Sequence, residues 1–458
     1  MTPLPNAWSH ATLGDLALDV RNGISAKPDS ETGLPILRIS AVRPFKLDPL
    51  DTRFLPSTFP RGGLTLEPDD LLFTRYNGNR ELVAACARVR QLARETVYPD
   101  KLIRVRIDPT KACPAYIEYV ANSKTARNYI DGKLKTSAGQ VGISGADLKQ
   151  LPIPLPPLPE QKRIADKLDA LLARVDACRE RLDRVPTILK RFRQSVLAAA
   201  TSGELTREWR EERGDTREWP QVSMGSLLAD VRYGTAKKCA YEAGKTPVLR
   251  IPNVVDGTIN HDDLKFADFD ERERAKLALA PGDLLVIRSN GSIGLVGRTA
   301  LVSVREAGFL YAGYLIRLRP DPTRANSAYL SLFLASPASR TRIELTARST
   351  AGVNNINAEE IRALLVPLPS LEEQNEIVRR IGDLFTIATR LEDAASTSQT
   401  FAERLRPSIL AKAFRGELVS QDPNDEPAAA LLARIAAERD HAPPAARGRG
   451  RVASGKCP

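Results

Sequence analysis

The stretch Pro154-Leu-Pro-Pro-Leu-Pro-Glu-Gln161 decides the organisation of the chain, because the sequence contains it twice. It returns 213 residues later as Pro367-Leu-Pro-Ser-Leu-Glu-Glu-Gln374. The same shift carries Ser195-Val-Leu-Ala198 onto Ser408-Ile-Leu-Ala411, and Gly203-Glu-Leu205 onto Gly416-Glu-Leu418. A period of this length is too long for a solenoid. The sequence therefore predicts a tandem duplication: two domain-sized copies in one chain, related as a pseudo-twofold object.

Each copy is predicted to begin with a globular α+β domain, at residues 8–150 and 219–363, where short apolar runs alternate with turns. The predicted strands are Leu34–Ser40, Leu71–Thr74 and Leu102–Ile107 in the first copy, and Pro247–Ile251, Leu284–Arg288 and Leu315–Leu318 in the second. Helical segments are predicted at Ala115–Ile130 and Ser327–Leu345. Ser144 with Asp147, and Asn357 with Glu360, have the spacing of helix capping boxes.

A long helix is predicted after each proline-rich stretch, because apolar residues recur there in alternating steps of three and four. The two seams are Ile164, Leu168, Leu171, Val175, Cys178, Leu182, Val185, Leu189, Phe192, Val196, and Ile377, Ile381, Leu384, Ala388, Leu391, Ala395, Ser398, Ala402, Leu405, Ile409. A glutamate near each helix start suits the positive end of the helix dipole. Pro186 predicts a kink in the first helix only. Seams of equal length predict antiparallel pairing within the chain, with a dimerising coiled coil as the alternative.

Composition narrows the class of protein. Among 458 residues, 67 Lys and Arg stand against 56 Asp and Glu, a formal net charge of +11 that favours a polyanionic partner such as nucleic acid. The five cysteines are widely spaced and include no CxxC pair, which is typical of reduced cytosolic thiols. No apolar run is long enough to span a membrane and the N-terminus has no signal-peptide pattern, so we expect a cytoplasmic protein.

The candidate contacts with DNA are basic and amide side chains, because Arg and Lys bind phosphates or guanine and Asn reads adenine. Most of them occupy matching positions in the two copies. They are Arg38 and Arg250, Arg75 and Arg288, Arg127 and Arg340, Lys135 and Arg348, Asn77, Asn290, Arg80 and Lys133. Two structural alternatives stay open: Asn77-Gly78 also fits a tight turn, and Arg38 and Arg250 also fit charges at a strand edge.

The motifs that an enzyme would need are missing from the sequence. Gly244-Lys245-Thr246 resembles the end of a phosphate-binding loop, but Cys239 stands where that motif requires glycine. None of the three histidines has a counterpart in the other copy, which argues against a metal site or a catalytic triad. Glu67, Asp69, Asp70 and Asp283 fit turns that enter strands better than a nuclease cluster.

The repeat order and the short motifs together resemble the specificity (S) subunit of type I restriction–modification systems. The resemblance covers roughly residues 8–420, including Leu189-Lys-Arg-Phe-Arg-Gln-Ser-Val-Leu197 and Gly203-Glu-Leu-Thr206. It implies that each globular unit is a target recognition domain for half of a split DNA site, and that the helices are a spacer. The implied boundaries are 1–153 and 219–366 for these domains, 154–205 and 367–419 for the spacers, and 206–218 for a linker. The tail departs from the family pattern, and for 420–458 its composition predicts a short helix and a basic disordered end.

The resemblance also implies a set of partners. Two modification (methyltransferase) subunits would dock on the helices, and restriction (nuclease and translocase) subunits would join them on double-stranded DNA. No cofactor is expected on this chain, since S-adenosylmethionine, ATP and Mg²⁺ would be bound by the partner subunits. The expected function is therefore non-catalytic DNA reading. The alternatives are a self-contained DNA-modifying or DNA-cleaving enzyme, and a coiled-coil scaffold unrelated to DNA.

Overall fold

The structure, a computed structural model, describes residues 4–137, 140–215, 217–241, 243–255, 257–350 and 352–441. The chain divides into two compact units. The first unit contains the residues up to Arg181 together with those from Ser398 onward, and the second contains Leu182–Thr397. Each unit holds one globular domain and part of each long helix.

The globular domain of the first unit is α+β. Its strands are β1 (Ser9–Thr12), β2 (Ala17–Asn22), β3 (Leu34–Leu37), β4 (Val42–Arg43), β5 (Lys46–Leu47), β6 (Thr52–Leu55), β7 (Leu71–Thr74), β8 (Tyr76–Asn77), β9 (Cys86–Arg88), β10 (Leu102–Ile107), β11 (Lys135–Ser137), β12 (Gln140–Gly142) and β13 (Pro152–Leu155). Its helices are α1 (Leu13–Leu16), α2 (Pro114–Ala121), α3 (Lys124–Asp131) and α4 (Gly145–Lys149). The long helix α5 (Leu158–Ser202) follows.

The globular domain of the second unit repeats this plan with different loops. After α6 (Arg207–Glu211) come β14 (Gln221–Ser223), β15 (Leu228–Tyr233), β16 (Thr246–Leu249), β17 (Val254–Val255), β18 (Thr258–Ile259), β19 (Lys265–Ala267), α7 (Glu271–Leu277), β20 (Leu284–Ile287), β21 (Ser289–Asn290), β22 (Thr299–Leu301), β23 (Leu310–Tyr311) and β24 (Leu315–Pro320). They are followed by α8 (Ser327–Ala335), α9 (Pro337–Thr346), β25 (Arg348–Thr350), β26 (Val353–Asn355), α10 (Ala358–Arg362), β27 (Leu365–Pro367), α11 (Leu371–Phe414) and α12 (Ala428–His441).

An antiparallel sheet forms the centre of each domain, in the order β2-β10-β7-β9 in the first and β15-β24-β20-β22 in the second. Alternate residues of its strands point to opposite faces. Leu71 and Phe73 pack with α2 in one core, whereas Leu72 packs with Leu102 in another. The second domain divides its strands in the same way. Because both faces of the sheet are buried, β20 (Leu284–Ile287) is apolar at every position. The neighbouring strands β10 and β24 are also mostly buried, but each carries two arginines.

Arginine–aspartate ion pairs, each with one buried member, tie the strands of each sheet together. The Arg104 side chain is 2% exposed and donates to Asp19 at 2.6 Å. Arg106 donates to both carboxylate oxygens of Asp70, at 2.7 and 2.9 Å. Arg317 with Asp230, and Arg319 with Asp283, repeat the two pairs in the second domain. Asp70 and Asp283 also accept hydrogen bonds from backbone amides of the turns that precede them. Both aspartates are therefore structural, as the sequence indicated.

The predicted helical segments are each interrupted once. Ala115–Ile130 is two helices, α2 and α3, and Ser327–Leu345 is α8 and α9. Serines cap the second helix of each pair: Ser123 accepts from Ala126 and Ser336 from Ser339. Because an N-cap serine offers the backbone a partner outside the helix, it favours a break that apolar periodicity does not reveal. The capping boxes are confirmed at Ser144 and Asn357, which cap α4 and α10.

The long helices pair in antiparallel fashion, as predicted. In the first unit Arg406, near the end of α11, donates to Asp176 of α5, and Ile409 packs in the same core as Ile164. In the second unit Arg193 of α5 donates to Glu392 at 2.9 Å. Each helix ends at a glycine with positive φ, Gly203 and Gly416, as expected. α5 continues through Pro186, and α11 also contains a proline, Pro407, so the two helices do not differ in having one.

The predicted seams are wrong at four positions. Cys178, Phe192, Leu391 and Ser398 are exposed, with 37% of Phe192 and 54% of Leu391 open to solvent. The seams assumed that every third or fourth residue faces the partner helix. One partner helix covers a narrow stripe, so the middle of each helix leaves apolar side chains uncovered in the described structure.

A tryptophan–glutamate hydrogen bond anchors each globular domain to the start of its helix. The indole of Trp8 donates to Glu160 at 3.1 Å, and that of Trp219 donates to Glu373 at 3.0 Å. Both glutamates are almost fully buried. The sequence-based prediction gave them only an interaction with the helix dipole and missed this contact with the domain.

The glutamine that follows each glutamate completes the anchor. Gln161 donates to the Pro156 carbonyl and accepts from the Cys113 amide at the start of α2. Gln374 makes the same two contacts, with Pro369 and with the Asn326 amide before α8. The repeated Glu-Gln pair thus joins three parts of each domain: its first residues, the start of its α2 or α8 helix, and the proline-rich turn.

The two anchors differ in how the glutamate charge is balanced. Oε1 of Glu373 accepts from Thr206 at 2.7 Å and lies 3.5 Å from Nε of Arg210. Oε1 of Glu160 is buried without a hydrogen-bond partner among the described residues. Burial raises the pKa of Glu160, and the Trp8 hydrogen bond and nearby Arg163 only partly oppose it. The first anchor therefore holds a carboxylate whose charge is poorly balanced.

Replacing each glutamate by glutamine should lower the unfolding free energy by different amounts at the two anchors. At pH 8 we expect Glu373→Gln to lose about 1–3 kcal/mol of unfolding free energy, because it removes a charged acceptor from Thr206 and Arg210. Glu160→Gln should cost less, since it also removes a buried, poorly balanced charge. Because the folded-state pKa of Glu160 is raised, the charge penalty in the wild type falls as pH drops through that pKa. Urea unfolding of the wild type and both variants at pH 8 and pH 5 measures these free energies. Equal losses of unfolding free energy for the two variants at pH 8 would contradict the prediction.

Candidate nucleic-acid interface

The candidate interface lies where the central strands of each sheet end. In the first domain Asn22 ends β2 opposite Ile103, and the Arg75 amide donates to the Lys101 carbonyl at 2.8 Å. In the second domain Tyr233 ends β15 opposite Ile316, and the Arg288 amide donates to the Tyr314 carbonyl at 2.9 Å. Each strand end therefore presents three neighbouring residues. We call these sets the strand-end rows: Asn22, Lys101 and Arg75 in the first domain, and Tyr233, Tyr314 and Arg288 in the second.

A small antiparallel sheet adjoins each row and brings together residues that are far apart in sequence. β12 pairs with both β8 and β11, which places Val141 opposite Asn77 and Gly142 opposite Lys135. In the second domain Asn354 lies opposite Asn290, and Asn355 opposite Arg348. A Cβ at Gly142 would lie 2.3 Å from the Tyr76 ring, so the hairpin reaches the strand end only because this residue is glycine.

The predicted asparagines close turns at equivalent places. Oδ1 of Asn77 accepts from the Asn79 amide at 2.9 Å, and Oδ1 of Asn290 accepts from the Ser292 amide at 2.9 Å. The turn that the sequence left open as an alternative is thus present. It occupies the acceptor end of each side-chain amide.

The repeated arginines Arg75 and Arg288 lie on aromatic rings. The Arg75 guanidinium is 4.7 Å from the centre of the Tyr76 ring, and that of Arg288 is 4.9 Å from the Tyr233 ring. A ring against the guanidinium face fixes its plane and leaves its edge for hydrogen bonding.

The pair Arg127 and Arg340 holds loops in place. Arg127 donates to the Val83 carbonyl at 2.7 Å, and Arg340 to the Val296 carbonyl at 2.7 Å. Arg127 also pairs with Asp131 at 2.9 Å. Partial burial acts to raise the pKa of Asp131, but the Arg127 hydrogen bond holds it below its ordinary value.

Arg38 and Arg250 each pair with an aspartate on a neighbouring loop. Arg38 lies 3.2 Å from Asp51, and Arg250 lies 2.6 Å from Asp263. Arg80 is 62% exposed and lies 3.5 Å from Asp131. The two repeated arginines therefore carry an intradomain ion pair, whereas most of the Arg80 side chain remains accessible.

The lysines of the β11 hairpin are the most accessible candidates. Lys133 is exposed and lies 5.8 Å from the centre of the Tyr129 ring. Lys135 is 76% exposed, 3.5 Å from Asp147. The Ser144 hydrogen bond lowers the pKa of Asp147, and Lys135 adds to the effect. The backbone of Arg348 lies in β25, and its side chain lies outside the described part of the structure.

The structure thus brings Arg75, Asn77 and Lys135 to one end of the first domain, and Arg288, Asn290 and the Arg348 backbone to the same end of the second. Sequence reasoning missed the other members of the strand-end rows. Lys101 and Tyr314 directly precede correctly predicted strands. Pairing those strands antiparallel would have placed them beside the repeated arginines.

Across the described ranges, no group of three or more His, Cys, Asp or Glu side chains is placed to hold a metal ion. None of the helices within the described part of the chain is long and apolar enough to cross a membrane.

The fold is that of a DNA specificity protein. The family model described as "Type I restriction modification DNA specificity domain" matches residues 116–186 and 218–397 of the chain. The chain belongs to this family, whose members are specificity subunits and do not themselves carry the catalytic activity of their complexes.

Full-length relatives agree. The chain is 33% identical to the EcoKI specificity subunit of Escherichia coli strain K12, over 95% of this chain and 96% of that protein. It is 34% identical to the StySPI specificity subunit of Salmonella potsdam, with the same two coverages of 95% and 96%. The fold is similar to the crystal structure of the HsdS subunit from Thermoanaerobacter tengcongensis, with a TM-score of 0.62 and 20% identity over 90% of this chain and 98% of that one.

Two substitutions should show by their effects on stability which basic side chains hold loops and which are only exposed to solvent. Arg127→Ala should lower the unfolding free energy by about 1–3 kcal/mol, because it leaves the Val83 and Glu81 carbonyls without their donor. Lys135→Ala should leave stability within about 0.5 kcal/mol of the wild type, since the side chain is exposed. Urea unfolding measures both. A destabilised Lys135→Ala and an unaffected Arg127→Ala would reverse the assignment.

Proposed function

We propose that this chain reads a bipartite DNA site for a type I restriction–modification complex, with one globular domain on each half-site. The observation that carries the proposal is the repeated domain whose frame is kept while the strand-end rows differ. The same buried ion pairs and the same anchors recur in both domains. Lys101 and Asn22 nevertheless become Tyr314 and Tyr233 at equivalent backbone positions. Two domains with the same fold and different residues at their strand ends suit a DNA site whose two halves differ in sequence.

The twelve sequence candidates remain predictions for DNA contact, and their geometry ranks them. Lys133, Lys135 and Arg80 are exposed cations beside the small sheet or its loop and suit phosphates. Arg75 and Arg288 have fixed guanidinium planes at the strand ends. Arg127, Arg340, Arg38 and Arg250 would act on DNA mainly through the loops that they hold.

The modification subunits would dock on the long helices, and the restriction subunits would join through them. In the second unit apolar side chains lie exposed one helical turn apart on each helix: Ile188 at 59% with Phe192 on α5, and Ile387 at 52% with Leu391 on α11. Exposed apolar pairs of this kind mark protein contacts. Two repeats of the helix in one chain suit two modification subunits.

The cofactors of the complex would be bound by the partners. Adenine methylation would use S-adenosylmethionine on the modification subunits, and cleavage would use ATP and Mg²⁺ on the restriction subunits. This chain would contribute the choice of sequence. The purified chain should therefore neither methylate nor cleave DNA.

Exchanging a domain tests the proposal. Residues 8–150 are replaced by the matching segment of a relative that recognises a different sequence, and the chain is produced with its modification subunit in cells that lack other methyltransferases. Methylome sequencing should show a new sequence in one half-site and an unchanged other half, because the domains read independently. A motif altered in both halves, or one that does not depend on this chain, would refute the proposal.

Charges introduced into the helix surface test the docking. The double variant Ile387→Asp and Leu391→Asp should weaken binding of the modification subunit by roughly 30-fold or more, since it buries charge at an apolar contact. Thr386→Asp adds a charge to the same exposed helix and serves as the control. Affinity is measured by titrating labelled modification subunit. Unchanged binding by the double variant would place the docking surface elsewhere.

A further inference from the structure

The strand-end rows contain one residue that is kept and two that change. Arg75 follows β7 and Arg288 follows β20. Their backbone amides donate to equivalent residues, Lys101 just before β10 and Tyr314 just before β24. Their neighbours are Lys101 and Asn22 in the first domain and Tyr314 and Tyr233 in the second. The exchange is chemically large, because two polar side chains that can donate hydrogen bonds to base edges are replaced by two aromatic rings.

The kept arginine has few acceptors within its own domain. Among the described residues the Arg288 guanidinium makes no hydrogen bond or ion pair, and its Nε is buried without a partner. Nε of Arg75 is likewise buried without a partner, and its Nη1 lies 3.4 Å from the Asp100 carbonyl. A guanidinium carries five N–H donors, and half-buried donors without acceptors are costly. Both arginines are thus positioned to receive an acceptor from a ligand.

The changed residues are accessible. Tyr314 is 64% exposed and Tyr233 is 39% exposed. Lys101 and Asn22 are also exposed. Tyr233 has a second role, because its hydroxyl accepts from the Ala358 amide at 2.9 Å and its ring supports Arg288. Tyr314 and Lys101 have no such structural contact among the described residues and are the cleaner pair for a test.

We propose that the strand-end rows are the base-reading sites of the two domains: Arg75 and Arg288 bind DNA phosphate, and Lys101 and Tyr314 select the base. This inference rests on the proposed function. An accessible donor that is identical in both domains and makes few contacts of its own suits what every site shares, which is the phosphate backbone. A residue that differs can bind what the half-sites do not share. Lysine donates to O6 and N7 of guanine, whereas an aromatic ring contacts the methyl group of thymine.

The rows therefore assign a chemistry to each half-site. The half read by the first domain contains a guanine bound by Lys101, with Asn22 beside it for an adjoining adenine. The half read by the second domain contains a thymine whose methyl group lies against Tyr314. The polar small sheet beside each row, with Asn77 or Asn290, would hold the flanking backbone.

The test compares methylated motifs in cells that produce the full chain, or one variant, with its modification subunit. Tyr314→Lys should replace thymine by guanine at one position in one half-site, changing the ratio of the two bases by roughly 5- to 150-fold, as expected for one base contact. Lys101→Tyr should lose guanine at one position in the other half-site. Val304→Lys adds a lysine to an exposed site of the same domain, 78% exposed in the wild type, and should leave the motif unchanged.

Arg288→Ala separates phosphate binding from base reading. It should weaken binding to all sequences alike and reduce the salt dependence by about one charge, with the motif kept. An unchanged motif in Tyr314→Lys and Lys101→Tyr, with normal methylation, would overturn the proposal, and so would a change in both halves. If cells that produce Tyr314→Lys show no methylation, Tyr314→Ala is tested instead. The proposal requires that this variant lose base preference at one position of one half-site. A wild-type chain that confers no motif would instead refute the proposed function.

Discussion

The buried hydrogen bond between a tryptophan indole and a glutamate carboxylate determines how each domain meets its helix. Trp8 and Trp219 lie just before the first strand of their domains, and Glu160 and Glu373 lie in the first turn of the long helices. The adjoining glutamine adds two bonds, to the proline-rich turn and to the start of α2 or α8. The Trp–Glu bonds join residues 152 and 154 positions apart in the sequence, so a few side chains set how each long helix leaves its domain.

The sequence predicted the frame well where a single periodicity decides the structure. Strands Leu71–Thr74 and Leu102–Ile107 agree with the prediction residue for residue, since most of their side chains are apolar and buried. The caps at Ser144 and Asn357 and the antiparallel helices were also predicted correctly. The breaks at Ser123 and Ser336, and the exposed Cys178 and Leu391, were not. They depend on how much of a helix its neighbour covers, which apolar spacing alone does not show.

The candidate interface was predictable only in part. Repetition selected arginines, but repetition also selects residues that hold the fold. Arg127 and Arg340 were chosen because they match, and they match because both donate to a loop carbonyl. Lys101 and Tyr314 were passed over because they differ. Under the proposed function, the positions that select bases would combine an equivalent backbone with a different side chain, and finding them requires the strand register.

The buried ion pairs explain how the frame can stay constant while the strand ends change. Arg104 and Arg106 are held by Asp19 and Asp70 inside the first domain, and Arg317 and Arg319 by Asp230 and Asp283 inside the second. A buried charge that loses its partner is strongly destabilising, so these pairs resist substitution. An exposed side chain at the end of a strand carries no such penalty. The side chains at the strand ends can therefore differ between the two domains while the ion pairs inside each sheet stay the same.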